Sequence, residues 1–294
     1  MVSVTSHDFV VFLNGEFLPL ENANISVMDR GFLFGDGVYE VIPVYENWIF
    51  RLDEHLVRLQ NSLNEIDIVN PYTQAEWEQL IRQLMEKNDF PGDKSIYIQV
   101  TRGVITPEIG GRDHFYNKKL VPTVLLMCKP ITSKDFSKGV GAITHEDIRW
   151  DYCHIKAISL LPGVLLKNRA FHKDGSYEAI LLQNGKVTEG AASNVFIVKD
   201  KVIKTPLKDN KLLSGVTRDL IIELIRKAEI PYEETTISEA ELRKSDEIWI
   251  TSSTMEIAPV IKLDGQLVGG GEVGPMWYEV NALYQNFKSN GPYN

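Results

Sequence analysis

Residues 29–40 read DRGFLFGDGVYE, a charged and glycine-rich stretch that leads into an apolar segment at residues 38–45. Its three glycines are spaced unlike those of a dinucleotide-binding loop, and they follow a charged turn where such a loop would follow a strand. We therefore predict that the stretch turns the chain into a strand at residues 38–45. A second strand, at residues 48–52, is predicted to pair with it.

Strands and helices are predicted on both sides of this stretch. Apolar residues recur every three or four positions in the predicted helices, and every second position in a half-buried strand such as residues 96–100. The other predicted strands are residues 9–13, 17–18, 121–128, 141–144, 177–182, 194–198 and 247–251. Two predicted helices begin near residues 53 and 73, and three more cover residues 165–173, 217–228 and 275–287.

A break in this pattern predicts the domain organisation. Residues 129–138 read KPITSKDFSK and contain proline, hydroxyl and charged residues, so we expect a linker there. The predicted domains are residues 1–128 and residues 139–294. Both contain strands mixed with helices, which predicts two α/β domains with a cleft between them.

The bulk composition is that of an ordinary globular protein, with 294 residues of which 44% are hydrophobic and 24% charged. A net charge of -9 argues against a nucleic-acid partner. No signal peptide or membrane-spanning run is recognised, so we expect a cytoplasmic protein without membrane contact. Cys128 and Cys153 form no CxxC pair and lie in apolar stretches, which predicts two buried free thiols.

Two segments rich in hydroxyl residues suggest phosphate binding. Residues 214–219, SGVTRD, open a predicted helix, whose free backbone N–H groups and positive end suit an anion. An ordinary helix N-cap is the alternative. Residues 251–254, TSST, follow a predicted strand and offer several short donors. Such clusters more often form turns, so neither segment identifies a ligand by itself.

A third feature is Lys156, which lies between Ile155 and Ala157 in an apolar segment that we predict to be a strand. Burial of a lysine favours its neutral amine, which is a nucleophile. A structural lysine that extends its amine to solvent is the alternative. The sequence has no spaced set of metal ligands, so we expect no metal site.

Taken in order, four segments resemble the signatures of the class IV, or fold-type IV, aminotransferases. Residues 29–40 resemble the N-terminal signature, and residues 188–196, TEGAASNVF, resemble the central one. Residues 215–218, GVTR, and residues 251–257, TSSTMEI, are similar to the phosphate-binding segments. The resemblance covers essentially the whole chain, and several linked motifs are far more specific than any one of them.

This resemblance implies a homodimer whose chains have a smaller N-terminal α/β domain and a larger C-terminal pseudo-barrel domain. It implies pyridoxal phosphate (PLP) as the cofactor, held in the cleft between the domains through a Schiff base to Lys156. The other cofactor contacts that it implies are Arg58, Glu189, Leu213, Val216, Thr217, Ser252 and Ser253.

The implied roles are chemically consistent. A carboxylate such as Glu189 favours a protonated pyridine nitrogen, which lets the ring withdraw electrons from the substrate. Lys156 would move a proton between the substrate α-carbon and the cofactor. Tyr39 and Glu40 would lie near the substrate and the lysine, respectively, although an alternating strand pair is the alternative.

Two features favour a D-amino acid aminotransferase within the family. Tyr39-Glu40 precedes Val41, whereas branched-chain enzymes more often show Phe-Glu-Gly. Arg112 and His114 resemble the carboxylate trap of the D-specific enzymes, which reaches the site across the dimer interface. With Tyr39 they would bind the substrate α-carboxylate, since arginine offers a bidentate clamp. A solvated turn is the alternative for this loop.

We therefore predict transamination between D-amino acids, such as D-alanine, D-glutamate or D-aspartate, and 2-oxo acids. Three alternatives remain: a branched-chain L-amino acid aminotransferase, an aminodeoxychorismate lyase, and a non-catalytic protein that binds the cofactor. The handedness argument is geometric. Since the lysine approaches from one fixed face, exchanging the carboxylate and side-chain pockets selects the opposite enantiomer.

Overall fold

The computed structural model describes residues 9–105, 112–116, 119–132 and 135–291. The chain divides into two compact units, one of residues Met1–Thr132 with Ile155–Ser159 and the other of residues Ser133–His154 with Leu160–Asn294. The domain and linker limits drawn from the sequence stay a prediction, because compactness does not show which segments fold independently. Residues 133 and 134 of the predicted linker lie outside the described residues.

The first unit is built on a six-stranded antiparallel sheet in the order β2-β1-β6-β5-β3-β4. Its elements are β1 (Val10–Leu13), β2 (Glu16–Pro19), α1 (Arg30–Phe34), β3 (Gly37–Tyr45), β4 (Trp48–Ile49), α2 (Leu52–Glu65), α3 (Gln74–Lys87), β5 (Lys94–Thr101) and β6 (Thr123–Pro130). Burial alternates along β5, as the sequence predicts. The apolar faces of α2 and α3 supply Leu59, Leu63 and Ile81, all fully buried, to the same core.

The helix predicted to begin near residue 73 is confirmed as α3, and it starts at a capping box. The Thr73 N–H donates to Glu76 Oε2 at 2.7 Å, and the Glu76 N–H donates back to the Thr73 hydroxyl. The strand predicted at residues 48–52 is wrong in extent, because β4 ends at Ile49 and α2 begins at Leu52. Arg51, with a φ of 54°, turns the chain between them.

The glycine-rich stretch at residues 29–40 forms a short helix, which was not predicted, and then enters the predicted strand. The Asp29 carboxylate caps α1 by accepting from the Gly31 N–H at 2.7 Å. Gly35 ends the helix with a φ of 67°, which glycine adopts without strain. Gly37 begins β3 at a point where an added Cβ would lie 2.7 Å from the Val100 carbonyl oxygen. These positions fix where β3 starts, and therefore where Tyr39 and Glu40 lie.

The second unit is built on a curled, mixed sheet of nine strands within the described residues, in the order β12-β11-β10-β13-β14-β7-β8-β9 with β15 on β14. Its elements are β7 (Val140–Glu146), α4 (Leu161–Asp174), β8 (Glu178–Gln183), β9 (Lys186–Gly190), β10 (Asn194–Lys199), β11 (Val202–Thr205), α5 (Val216–Lys227), β12 (Tyr232–Glu234), α6 (Glu239–Arg243), β13 (Glu247–Ser252), β14 (Glu256–Leu263), β15 (Gln266–Leu267) and α7 (Pro275–Asn290). Strands β8, β10 and β13 are buried on both faces, which explains their continuous apolar runs.

The mixture of strands and helices in both units confirms the predicted α/β class. Both cysteines are free and buried, as the sequence predicts. No helix in the described part of the chain is long and apolar enough to cross a membrane.

Candidate active site

The backbone of Lys156 is fixed while its side chain is half-buried. Its N–H donates to the Ser62 hydroxyl at 3.1 Å, and its carbonyl accepts from the Tyr39 N–H at 3.0 Å. The Lys156 Nζ lies 4.1 Å from the centroid of the Tyr39 ring. No described residue forms an ion pair with this amine. The segment is irregular apart from one bridge, Val38 to Ala157, so the prediction that Lys156 lies in a strand was wrong.

A buried charge cluster lies in the same unit, where β3 faces α2. Both Glu40 oxygens accept from the Arg58 guanidinium, at 2.7 and 2.8 Å, and one also lies 2.9 Å from His55 Nδ1. Burial raises the pKa of Glu40, but the Arg58 charge and these hydrogen bonds outweigh it and hold the pKa well below its usual range. Burial lowers the pKa of His55 against the opposing pull of Glu40. His55 is therefore a neutral donor and Glu40 an ionised acceptor at neutral pH.

Arg58 is thus a buried residue, 8% exposed, and its side chain is directed by Glu40. The nearby Glu54 pairs with Arg51 at 2.9 Å. Of the predicted site residues in this unit, the structure brings Lys156 and Tyr39 into contact and joins Glu40 to Arg58.

Glu189 is the centre of a second buried network, in the second unit. One oxygen accepts from Arg149 Nη1 at 2.5 Å, and the other accepts from the Leu213 N–H at 3.0 Å and from Asn194 Nδ2 at 3.1 Å. Burial raises the pKa of Glu189 to about 7, in spite of the opposing charge of Arg149. The carboxylate therefore has capacity to stabilise a further positive charge.

Arg149 is the residue that pairs with Glu189, and sequence reasoning missed it. Its Nε and Nη2 also donate to Asp147 at 2.9 and 2.8 Å, and Asp147 accepts from the Thr188 hydroxyl at 2.8 Å. One signal was present in the sequence. A glutamate inside an apolar signature needs a cation, and Arg149 lies between the apolar residues Ile148 and Trp150.

The two predicted phosphate segments lie around Asn194. Gly215 is the N-cap of α5, and a Cβ added there would lie 2.0 Å from Asn194 Oδ1. Asn194 also pairs in register with Thr251, the residue before Ser252 at the end of β13. Asn194 therefore joins both segments to Glu189, a role that the sequence did not reveal.

Both segments offer hydrogen-bond donors that suit an anion. Val216 and Thr217, in the first turn of α5, are buried at 5% and 4% exposure, and no side chain caps the helix. Helix N–H groups that lack a side-chain cap suit an anion. Ser252 and Ser253 are half-buried, and the buried Thr251 hydroxyl has no hydrogen-bond partner among the described residues. The neighbouring Arg218 is fully buried and pairs with Glu234 at 2.7 Å.

Arg112 and His114 lie on an exposed loop of the first unit. The Arg112 guanidinium carbon is 5.0 Å from the centroid of the Phe34 ring, and the His114 ring centroid is 5.5 Å from it. No contact among the described residues joins either side chain to Tyr39. Within one chain, the structure thus brings Arg112 and His114 to each other through Phe34, and not to Tyr39.

Known proteins resemble this chain over nearly its full length. The family model for amino-transferase class IV matches residues 37–263. D-alanine aminotransferase from Bacillus licheniformis is 39% identical over 278 residues, which cover 94% of this chain and 96% of that protein. The chain belongs to the class IV aminotransferases. D-alanine aminotransferase from Listeria monocytogenes is 38% identical over 274 residues, covering 93% and 94% of the two chains.

Solved structures of other aminotransferases share the fold. Branched-chain amino acid aminotransferase from Escherichia coli superposes with a TM-score of 0.88 at 27% identity, over 95% of this chain and 94% of that chain. Branched-chain aminotransferase from Thermoproteus uzoniensis superposes with a TM-score of 0.85 at 27% identity, over 94% of this chain and 93% of that chain. The predicted family and fold type are therefore confirmed. Class IV aminotransferases depend on PLP, and no group of metal ligands occurs among the described residues.

Proposed function

We propose that this aminotransferase moves amino groups between D-amino acids, of the D-alanine, D-glutamate or D-aspartate type, and 2-oxo acids. The observation that carries the proposal is the 38–39% identity to D-alanine aminotransferases over 93–94% of the chain. The Arg112–His114 loop supports the same reaction, because it offers a guanidinium and an imidazole to a carboxylate.

The residues fit PLP. Lys156 has a half-buried amine with no carboxylate partner among the described residues, as a nucleophile toward an aldehyde requires. Glu189 is a buried carboxylate that would face the pyridine nitrogen, with Leu213 against the ring. The Thr251 hydroxyl, which has no hydrogen-bond partner in the described part of the chain, and the start of α5, which no described side chain caps, mark a place for an anion. The phosphate would be held by Arg58, Val216, Thr217, Ser252 and Ser253.

When bound, PLP supplies a ring that stabilises negative charge at the substrate α-carbon. Glu189 would face the ring nitrogen and favour its protonated form, and Arg149, which pairs with one Glu189 oxygen, favours the ionised carboxylate. With the cofactor bound, Lys156 Nζ would act as the base that takes the proton from the substrate α-carbon. Because the Lys156 backbone is hydrogen-bonded to Ser62 and Tyr39, only its side chain has to move.

The enantiomer is selected by the residues that bind the α-carboxylate. In this proposal Arg112, His114 and Tyr39 bind that group, with Tyr39 also in contact with the lysine amine. Glu40 acts indirectly, because its carboxylate directs the Arg58 side chain and is not free to reach a substrate. Since Lys156 removes the proton from one face only, the side on which the carboxylate is bound decides which enantiomer reacts.

An enantiomer screen tests the proposal. We expect the purified enzyme with D-alanine and 2-oxoglutarate to form pyruvate and glutamate, and the Lys156→Ala variant to form neither. A branched-chain L-amino acid aminotransferase is the second candidate, because the solved structures with TM-scores of 0.85–0.88 carry that name. Turnover of L-leucine without turnover of D-alanine would reject the D-specific function. Pyruvate release from aminodeoxychorismate without an amino acceptor would indicate the lyase.

We also propose a homodimer. In the first unit, several large apolar side chains are exposed: Val27 at 70%, Phe32 at 68%, Phe115 at 88% and Val121 at 81%. Exposed apolar groups of this size are common where a second chain packs. The cytoplasmic location stays a prediction.

A further inference from the structure

The ring of Phe34 contacts three side chains that carry or can carry positive charge. The guanidinium carbons of Arg30 and Arg112 lie 4.6 and 5.0 Å from its centroid. The His114 ring lies 5.5 Å away and is tilted by 46°. Cations within about 6 Å of an aromatic face are attracted to it. Phe34 therefore lies against both side chains that we propose as ligands of the substrate carboxylate.

The backbone of the same loop is fixed by Arg30, which lies one turn before Phe34 on α1. The Arg30 guanidinium is buried, at 4% exposure, and donates to the carbonyls of Asp113 and His114 at 2.8 and 3.2 Å. Its Nε donates to Asp36 at 2.7 Å. A buried guanidinium must satisfy its donors, so the loop carbonyls are held where Arg30 places them.

A second attachment holds the loop at Tyr116. The Arg102 guanidinium stacks 3.7 Å from the centroid of the Tyr116 ring and donates to the same Asp36 carboxylate at 2.8 Å. The Tyr116 hydroxyl donates to Asp67 at 2.9 Å. Asp36 thus connects both attachments, and the segment between them is fixed at the backbone level.

Fixing the backbone does not by itself fix the side chains of Arg112 and His114. Both are exposed, and a free arginine samples many rotamers whose loss on binding reduces affinity. The Phe34 ring restricts these rotamers before the substrate arrives. Such preorganisation favours binding without contributing any contact to the substrate.

We propose that Phe34 is a positioning residue for substrate recognition, which sets the directions of Arg112 and His114 and so supports selection of the D-enantiomer. The proposal rests on the proposed function, in which these two side chains bind the α-carboxylate. In this proposal Phe34 acts through these two side chains and makes no contact of its own with the substrate or the cofactor. Its effect should therefore appear in substrate binding and not in the proton transfer.

The Phe34→Leu variant tests the positioning role by comparing its effect on KM with its effect on kcat. We expect the KM for D-alanine to rise about tenfold while kcat stays within about twofold, since the lost contacts act on binding. Phe171→Leu is the matched control, because Phe171 is on α4, outside the proposed dimer surface, and 64% exposed. Phe34→Tyr keeps the ring and should keep the KM. An unchanged KM in Phe34→Leu, or a loss confined to kcat, would overturn the proposal.

The double variant Phe34→Leu/Arg112→Ala distinguishes positioning from a general structural effect. If Phe34 acts through Arg112, the double variant should have nearly the KM of Arg112→Ala alone. Multiplied effects would mean that Phe34 acts independently, and the proposal would fail. Wild-type enzyme that turns over no D-amino acid would instead contradict the proposed function.

A spectroscopic measurement needs no turnover at all. In the cofactor-free protein labelled with 13C-histidine, the ring protons of His114 should be shifted by the Phe34 ring current, with His114→Gln giving the assignment. The shift should disappear in Phe34→Leu and remain in Phe34→Tyr. A His114 signal at the position of a free histidine in the wild-type protein would overturn the proposal, even if Phe34→Leu failed to fold.

Discussion

Glu40 and Glu189 are both buried carboxylates, and their neighbours move their pKa values in opposite directions. Glu40 receives a bidentate guanidinium and a neutral imidazole, which hold its pKa well below the usual range despite burial. Burial raises the pKa of Glu189 to about 7, against the opposing charge of Arg149, which also pairs with Asp147. At the scale of single residues, one carboxylate is committed to structure and the other retains capacity for a cationic ligand.

The raised pKa of Glu189 predicts that the free energy of unfolding of the cofactor-free protein falls as the pH rises. Its pKa rises from an ordinary value of 4.5 to about 7 on folding, so its favourable contribution is complete below pH 4.5 and is lost as pH rises through 7. The Glu189→Gln variant lacks this loss. Between pH 4.5 and 8, its free energy of unfolding should therefore gain about 3 kcal/mol relative to wild type.

Urea unfolding at both pH values measures this difference. Glu272→Gln is the control, since it makes the same replacement at an exposed position. If Glu189→Gln and wild type differ by the same amount at both pH values, Glu189 does not titrate in this range and the assigned environment is wrong.

At the scale of elements, the start of α5 and the end of β13 are both placed by β10. The antiparallel register pairs Asn194 of β10 with Thr251 of β13, and the Asn194 amide also donates to the Leu213 carbonyl at 2.9 Å. Gly215 can approach this amide only because it has no Cβ. Asn194, at the beginning of β10, therefore positions the start of α5, the end of β13 and the Glu189 carboxylate.

Substitution of Gly215 by alanine should weaken cofactor binding. The added Cβ would lie 2.0 Å from Asn194 Oδ1, so the amide must move away from Glu189 and Leu213. We expect the Kd for PLP to rise at least about tenfold, since displacement of such supporting contacts costs roughly 1–3 kcal/mol. Fluorescence titration of the cofactor-free protein measures it. Gly270→Ala is the control, because an added Cβ there meets open space. Equal affinities of the two variants would contradict this account.

At the scale of the whole molecule, the relatives and the solved structures carry different substrate names. The D-alanine aminotransferases are 38–39% identical, whereas the branched-chain enzymes with TM-scores of 0.85–0.88 are 27% identical. A shared fold does not fix a substrate, because specificity depends on a few loop residues. In the proposed function these are Arg112 and His114, which both contact the Phe34 ring.

The proposed homodimer predicts the mass of the particle in solution. Light scattering coupled to size-exclusion chromatography should give twice the chain mass of 33.3 kDa at micromolar concentration. The expected cause is burial of apolar side chains such as Phe115, which is 88% exposed in the single chain. A particle with the mass of one chain would contradict the dimer.

The sequence by itself determined the family and the α/β class, and it predicted most residues of the candidate site. Linked motifs in a fixed order identified Lys156 and Glu189, and helical periodicity located α2 and α3. Such signals are local, since they depend on residues close together in the chain. They report that a side chain is buried, but not which charge it meets.

Only the tertiary structure decided which distant residues interact with one another. Arg149 meets Glu189 across 40 residues, and Arg30 meets the His114 carbonyl across 84. It also placed residues Ile155–Ser159, with Lys156, in the first unit and gave them an irregular backbone in place of a strand. The physical reason is that sheet register and helix packing bring distant residues together, while no periodicity along the chain records those pairings.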